Sequence, residues 1–388
     1  MVIYKANYGM ICVMKEKEII VDVKKEINEH IGKIMNFNIQ NYSTNGSLIY
    51  NNKKCFFKVV DKTSFIKEIN GYLISHSYIP VKDIIHTSFL ENCNKYIILY
   101  DYDDTVTSNS GLLNDLLVKN DTIKKISKLD QRRIEKVLKV YRNIYSNPVI
   151  ITDECPNDIF FYDRIDTRLK KWYFKLINCN KKIQINNFKS NIYLSDILQE
   201  TIDYFSKKGI KREAVITQGD PNTLNISMKP VFFDLVTAGY NSIISELSIT
   251  IVSTLLYDNY FCPKYHSNSY GKHIQAIYNC NLFSPDIFVK ESSKTIKINS
   301  NILTSYIRKK YILKYINILK KKNINISSDI KYFIIMRLLC VFDINKMSSN
   351  DYYYSIFLVC YFYLKIDDDF YKSINLIINE MESIVYDK

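Results

Sequence analysis

Between residues 22 and 35, Val23, Ile27, Ile31 and Ile34 recur at helical spacing among Lys and Glu, which predicts a short helix with one apolar side. The period then drops to two. Residues 37–43, 47–51 and 55–60 read as three short strands, the first two separated by Thr44, Asn45 and Gly46. A helical pattern follows over 64–75, with Thr63 or Ser64 placed to cap it, and strands over 83–90 and 95–101 complete a set of five. The polar stretch 101–111, with Asp103, Asp104, Ser108, Asn109 and Ser110, carries loop signals and marks a boundary. Beyond it the pattern is mostly helical, over 112–118, 123–145, 159–176 and 195–208, the last stopped by Gly209. Short strands break in at 214–217, 225–228 and 231–234. After residue 240 helices are expected to the end, with Leu303, Ile307, Tyr311 and Tyr315 spaced four apart and similar stripes in 331–343 and 368–386. The expected fold is α+β: an N-terminal extension with a helix (1–36), a strand-rich part (37–102), and a mainly helical part (103–388) holding the segment 214–239.

Composition narrows the class. Of 388 residues 47% are hydrophobic and 24% charged, which suits a globular chain rather than a disordered one. The apolar run Tyr352 to Leu364 is too short to span a bilayer and fits a buried helix. Lys15, Glu16, Lys17 and Glu18 interrupt the early apolar residues, so no leader is expected and the protein is placed in the cytoplasm. The 9 cysteines are dispersed, which suits a reducing compartment, and neither they nor the 5 histidines have metal-site spacing, so no structural zinc is expected. A formal charge of +13 invites a nucleic-acid surface, but the basic residues are spread along the chain rather than gathered in a local footprint. No nucleic-acid or membrane partner is expected.

The segment that carries chemistry runs Val215-Ile-Thr-Gln-Gly-Asp-Pro-Asn-Thr-Leu-Asn-Ile226 and continues as Pro230-Val-Phe-Phe-Asp-Leu-Val-Thr-Ala-Gly239. A buried strand delivers Asp220 on a loop. Asn225 follows five positions on, the spacing of a kinase catalytic loop, so a carboxylate can face a hydroxyl while an amide oxygen reaches a metal. Val231, Phe232 and Phe233 form a second apolar strand that ends in Asp234, whose carboxylate would meet the same ion. Two oxygen ligands plus nucleotide phosphates suit Mg²⁺. The structural alternative is an Asp capping a helix, with Asn225 in a turn.

A Gly-Asp-Pro-Asn loop, an Asn five residues after the Asp, and an Asp-terminated apolar strand followed by Ala-Gly-Tyr resemble the aminoglycoside phosphotransferase and choline kinase family. The resemblance implies a protein-kinase-like two-lobe fold, with a five-stranded antiparallel N-lobe sheet and a mainly helical C-lobe. It implies an ATP-dependent, Mg²⁺-requiring O-phosphotransferase acting on a small hydroxylated molecule such as an aminoglycoside, amino alcohol or sugar. Asp220 would be the catalytic base, with Asn225 and Asp234 on magnesium. Upstream, Lys58 sits in an apolar strand, where an ammonium is costly without an anionic partner. Glu68 on the next helix matches the family's lysine–glutamate pair, although Lys58 on a half-exposed strand could also face water. Ser43, Thr44, Gly46 and Ser47 would form a loop over the nucleotide phosphates, and the strand ending at Tyr100 and running into Tyr102 falls where the family's hinge would present backbone groups to adenine. Asp101, Asp103 and Asp104 could wall a cationic acceptor, though hinge solvation explains that cluster too. Glu246 is expected to be a structural cap.

Three departures stand out. Gln218 replaces the family's usual histidine, the connection from Asn225 to Asp234 is short, and Leu235 and Val236 replace the usual aromatic and acidic residues. An amide at 218 can still donate to the metal-binding segment. The distance from Asp234 to Glu246 leaves no room for a long activation segment, which disfavours a protein kinase. The competing function is an inactive kinase-like protein that binds a nucleotide or a partner.

Overall fold

The computed structural model describes residues 22–39, 44–107, 111–177, 181–188, 192–207 and 209–384. It has the expected two-lobe α+β arrangement. Helix α1 (22–30) precedes β1 (Lys33–Ile39), β2 (Thr44–Tyr50), β3 (Lys53–Val60), α2 (Lys62–Ser75), β4 (Ile84–Leu90) and β5 (Lys95–Asp101). The strands form one antiparallel sheet in the order β1-β2-β3-β5-β4. Period-two alternation sorts β3 between two faces. Cys55, Phe57 and Val59 point toward α1 and pack with Val23, Ile27, Leu48, Ile97 and Leu99. Val60 joins Ile98, Tyr100 and the α2 residues Phe65 and Ile69 on the other face. Lys58 shares the parity of Val60, so it lies on the α2 side.

Several boundaries differ from the sequence expectation. The first helix ends at residue 30, not 35, because Gly32 lies against the Ile49 carbonyl, at 2.2 Å from an added Cβ, and the chain is already entering the sheet. The first three strands accordingly begin earlier than 37, 47 and 55. Asp61, rather than Thr63 or Ser64, caps α2, accepting from the Ser64 amide at 2.8 Å.

The C-lobe begins with α3 (Leu113–Asn120) and α4 (Lys128–Ile144), followed by β6 (Ile150–Thr152). The long helix expected over 159–176 is instead a series of short turns, including a π-helical one at Ile165–Leu169. Next come β7 (Lys182–Ile185), β8 (Ile192–Tyr193), α5 (Leu194–Ser206), β9 (Arg212–Thr217), β10 (Gly239–Ser242) and α6 (Ile243–Val252). The hairpin expected over 225–234 is reduced to the single bridge Ile226–Phe232. Helices do not fill the remainder. Strands β11 (Ile287–Glu291) and β12 (Thr295–Ser300) pair with each other, and β12 runs parallel to β7, giving a sheet of order β11-β12-β7-β8. Its strands are short and polar on one face, which a helix-period reading overlooks.

Helices α7 (Tyr306–Lys321), α8 (Ile330–Cys340), α9 (Ser349–Lys365) and α10 (Phe370–Glu380) close the chain. Together with α4, α5 and α6 they enclose the main apolar core. Within it Arg308 and Asp121 form a fully buried ion pair at 2.7 Å. Among the described residues no helix is long and apolar enough to cross a membrane.

Candidate active site

A cleft of about 1880 Å³ lies between the lobes, and Lys58, Asp220, Asn225 and Asp234 all line it. Lys58 Nζ donates to Glu68 Oε2 at 2.6 Å and to Asp234 Oδ1 at 2.7 Å. Burial alone would drive the ammonium to lose its proton, but Asp234 and Glu68 more than offset this and hold it charged. Lys58 therefore does not face open water. Glu68, 1% exposed, is fully engaged, because its other oxygen accepts from Tyr100 Oη at 2.8 Å and the Leu235 amide at 3.1 Å. Helix α2 can come this close because of Gly71, where an added Cβ would stand 2.0 Å from the Leu235 carbonyl oxygen.

The 214–239 segment is fixed by its own polar side chains. Gln218 Nε2 donates to the carbonyls of Phe233 and Asp234 at 2.8 and 2.7 Å, and its Oε1 accepts from the Asp220 amide at 2.9 Å. One amide thus ties the Asp220 loop to the Asp234 turn from both ends. Gly219 has φ 86°, and an added Cβ would meet the Thr237 carbonyl at 2.3 Å. Asn241 bonds the Thr237 carbonyl at 2.8 Å and the Thr217 hydroxyl at 3.1 Å, so the two halves of the segment cannot separate. Thr223 is anchored to the buried Asp258, which accepts its hydroxyl at 2.6 Å. Asp234 itself adopts the left-handed conformation, φ 58°, which turns its carboxylate toward Lys58.

Asp220 is buried. Its Oδ2 accepts from Asn222 Nδ2 at 3.0 Å, and its Oδ1 has no hydrogen-bond partner among the described residues. Burial pushes its pKa up, Arg337 opposes this, Asp234 adds to it, and Asn222 and Arg164 oppose it. The result is a carboxylate above its ordinary range, more ready to take a proton. Asn225 Nδ2 donates to the Asp220 carbonyl at 3.0 Å, which leaves Oδ1 as the free end of the amide. That oxygen and Asp234 Oδ2 make a two-member hard-oxygen set, and among the described residues there is no group of three or more His, Cys, Asp or Glu able to hold a metal. Such a set fits Mg²⁺, which uses few protein ligands and completes its shell with phosphate and water.

Other expected residues are placed differently. Thr44, Gly46 and Ser47 lie within strand β2 rather than in a loop, and Ser43 falls outside the described residues. Asn45, Gly46 and Ser47 still line the cleft, joined by Asn36 and Asn38 of β1, which no sequence motif marked. Gly46 is required there, since a Cβ would meet the Asn36 carbonyl at 1.9 Å. Tyr100 and Tyr102 both line the cleft, Tyr100 with its hydroxyl on Glu68 and Tyr102 with Lys54 Nζ 3.8 Å from its ring. The suggested acidic wall is already committed: Asp101 pairs with Lys82 at 3.2 Å, and Asp103 accepts from the Thr105 amide and the Ser227 hydroxyl. Asp104 is exposed in the turn that follows. Glu246 is not a cap. It sits in the core under α6, where burial first, and then Asp220, raise its pKa to about 8 against a bond from Thr217.

No family model matches the chain, and no curated protein matches it. Among solved structures it is similar to aminoglycoside phosphotransferase APH(4)-Ia, with 10% identity and a TM-score of 0.44 over 93% of this chain and 98% of that one. A thermostable mutant of that enzyme, in ternary complex with ADP and hygromycin B, gives 11% identity and a TM-score of 0.41 over 92% and 98%. Spectinomycin phosphotransferase APH(9)-Ia, in complex with ADP and spectinomycin, gives 10% and 0.31 over 93% and 98%.

Proposed function

We propose that the protein is an ATP-dependent O-phosphotransferase that moves the γ-phosphoryl group to a hydroxyl of a small molecule. The observation that carries this reading is one cleft in which a half-buried lysine is clamped between Glu68 and Asp234 and which Asp220 and Asn225 also line. A nucleotide would lie beneath β1 and β2, with Lys58 turned from Asp234 toward its phosphates and Glu68 keeping the ammonium in place. Asn225 Oδ1 and the Asp234 carboxylate would hold Mg²⁺, which, when bound, neutralises charge on the transferring phosphoryl group.

Asp220 would orient the acceptor hydroxyl and take its proton. The acceptor oxygen forms a bond to Pγ while the bond from Pγ to the bridging oxygen breaks. ADP leaves with that electron pair, and the products are a phosphomonoester, ADP and one proton. Positioning and electrostatics supply the rate, with no covalent enzyme intermediate. Only Leu235 to Ser242 separate Asp234 from α6, and they form a turn and a strand, too short for a long activation segment, which disfavours a protein substrate.

Calorimetric titration with Mg·ATP tests the nucleotide half of the proposal. Wild type should bind, and Lys58→Met should bind at least tenfold more weakly, since a charge-assisted bond in a desolvated site contributes about 1.5–3 kcal/mol. Equal affinity in both proteins would remove Lys58 from the site and the proposal with it. Binding without turnover on any acceptor would favour a nucleotide-binding protein that does no chemistry.

A further inference from the structure

The chain pairs its other buried arginines with carboxylates. Arg212 is held by Asp158 through two bonds of 2.6 and 2.8 Å, and Arg308 by Asp121 at 2.7 and 3.1 Å. Arg337, also buried, and the half-buried Arg164 and Arg168 do not follow this pattern. Arg164 and Arg168 project from the π-helical turn one helical repeat apart, and their Nη1 atoms share a single acceptor, the Cys340 carbonyl, at 3.2 and 2.6 Å. Arg337, 6% exposed, has a buried Nε with no hydrogen-bond partner. Among the described residues none of the three has a carboxylate ion-pair partner. The like charges crowd one another: burial, then Arg337 and Arg168, pull the Arg164 pKa down to about 9.

Capping α8 accounts for little of this. The last turn of that helix is already served by Tyr257, which donates to the Arg337 and Leu338 carbonyls, and by Tyr173, which donates to that of Leu339. One remaining carbonyl needs one donor, whereas each guanidinium carries five N–H groups. Two full charges also exceed the half charge of a helix end.

The cluster borders the cleft. Arg164 and Arg337 lie 5.0 and 5.3 Å from the ring of Phe160, a cleft-lining residue. Arg168 is near enough to cleft-lining His266 to disfavour its protonation, after the larger effect of burial. Both Arg164 and Arg337 act on the Asp220 charge. The cleft wall also carries Lys272, whereas Lys119 is paired with Asp130 at 3.1 Å and Asp115 is spent on the Leu112 amide and His273.

We propose that the acceptor carries an oxyanion, a carboxylate or phosphate, beside its reactive hydroxyl, and that Arg164 and Arg168, backed by Arg337, bind that group. The proposal rests on the phosphotransferase reading for the word acceptor. It replaces the cationic acceptor that an acidic wall would have favoured. A fork of guanidinium donors matches the planar or tetrahedral oxygens of such a group and would set the hydroxyl at a fixed offset, in front of Asp220.

The protein holds its own reporter. Trp172 is the single tryptophan, and the Arg168 guanidinium lies 5.4 Å from its ring. The full chain, without nucleotide and at constant ionic strength, is titrated with glycerol 3-phosphate and glycerate, and in parallel with glycerol and ethanolamine. The expected result is a saturable change in Trp172 emission with at least one anion and none with the neutral or cationic probe. Arg168→Gln and Arg164→Gln should each weaken it at least tenfold, with Arg168→Lys falling between. A flat wild-type response to both anions overturns the proposal, whether or not the variants fold. So does an equal response to glycerol or ethanolamine, or folded Gln variants that titrate as wild type. Lys58→Met separates the two readings, because it should bind Mg·ATP at least tenfold more weakly and keep the anion response. A wild type that binds the anions but no nucleotide overturns the phosphotransferase reading and leaves the anion site standing.

Discussion

Glu68 and Glu246 are two buried glutamates with opposite fates. Glu68 accepts from an ammonium, a phenol and an amide, so its charge is compensated where it sits. Glu246 has a buried Oε2 with no partner and is held near pKa 8, so it carries its proton at neutral pH. The sign of its effect on stability follows. Its folded pKa lies above the ordinary 4.5, so below that range both folded and unfolded chains are protonated. As the pH rises from there toward 8, only the unfolded chain releases the proton. Stability therefore falls across that window and levels off above it, by an amount on the order of a few kcal/mol. Glu246→Gln keeps the shape and removes the titration. It should raise the melting temperature more at pH 8 than at pH 5 and flatten the slope between them. Parallel pH profiles for the two proteins would contradict this. The sequence made Lys58, Glu68, Asp220, Asn225 and Asp234 legible as candidates because their types and order are specific. It did not distinguish a cap from a buried acid at 246, since both stand in the first turn of a helix.

Helix α2 shows how an element transmits position. Its Gly71 seats it on the Leu235 carbonyl, and one turn earlier Glu68 reaches Lys58. In an exposed helix Gly→Ala is worth about 1 kcal/mol of added stability from propensity alone. Here the added methyl cannot fit, and overpacking should cost about 1–3 kcal/mol instead. Gly71→Ala is predicted to destabilise the fold and to weaken Mg·ATP binding together. A gain in melting temperature with unchanged affinity would show that the contact is soft. Elements with clear periodicity, such as β4, β5, α7 and α8, were readable within a few residues. Those that failed share a cause in tertiary structure. The helix expected over 159–176 is broken into turns that place Arg164 and Arg168 against the end of α8. Strand β12 gains its second partner, β7, from more than a hundred residues away, which no local pattern reports. The 225–234 segment is tied by Gln218 and by bridges to Val81 and Leu112 rather than by a regular ladder.

At the scale of the molecule, a strand-rich lobe supplies Lys58 and Glu68, and a helical lobe supplies Asp220, Asn225 and Asp234. The cleft between them is closed across by the Lys58–Asp234 pair. Part of the positive charge is gathered locally, since Arg164, Arg168 and Arg337 cluster at the end of α8 behind the cleft-lining Phe160 and His266. That concentration came from chain folding, as Arg164 and Arg337 are far apart in sequence. The measurement that bears most directly on the central claim is Mg²⁺-dependent transfer from γ-labelled ATP to pooled hydroxylated acceptors, grouped as anionic, neutral and cationic, by wild type and by Asp220→Ala. The account predicts a labelled phosphomonoester from wild type, and a rate reduced by about 10²–10⁴-fold in Asp220→Ala with Mg·ATP binding retained. Transfer by Asp220→Ala at the wild-type rate would contradict it.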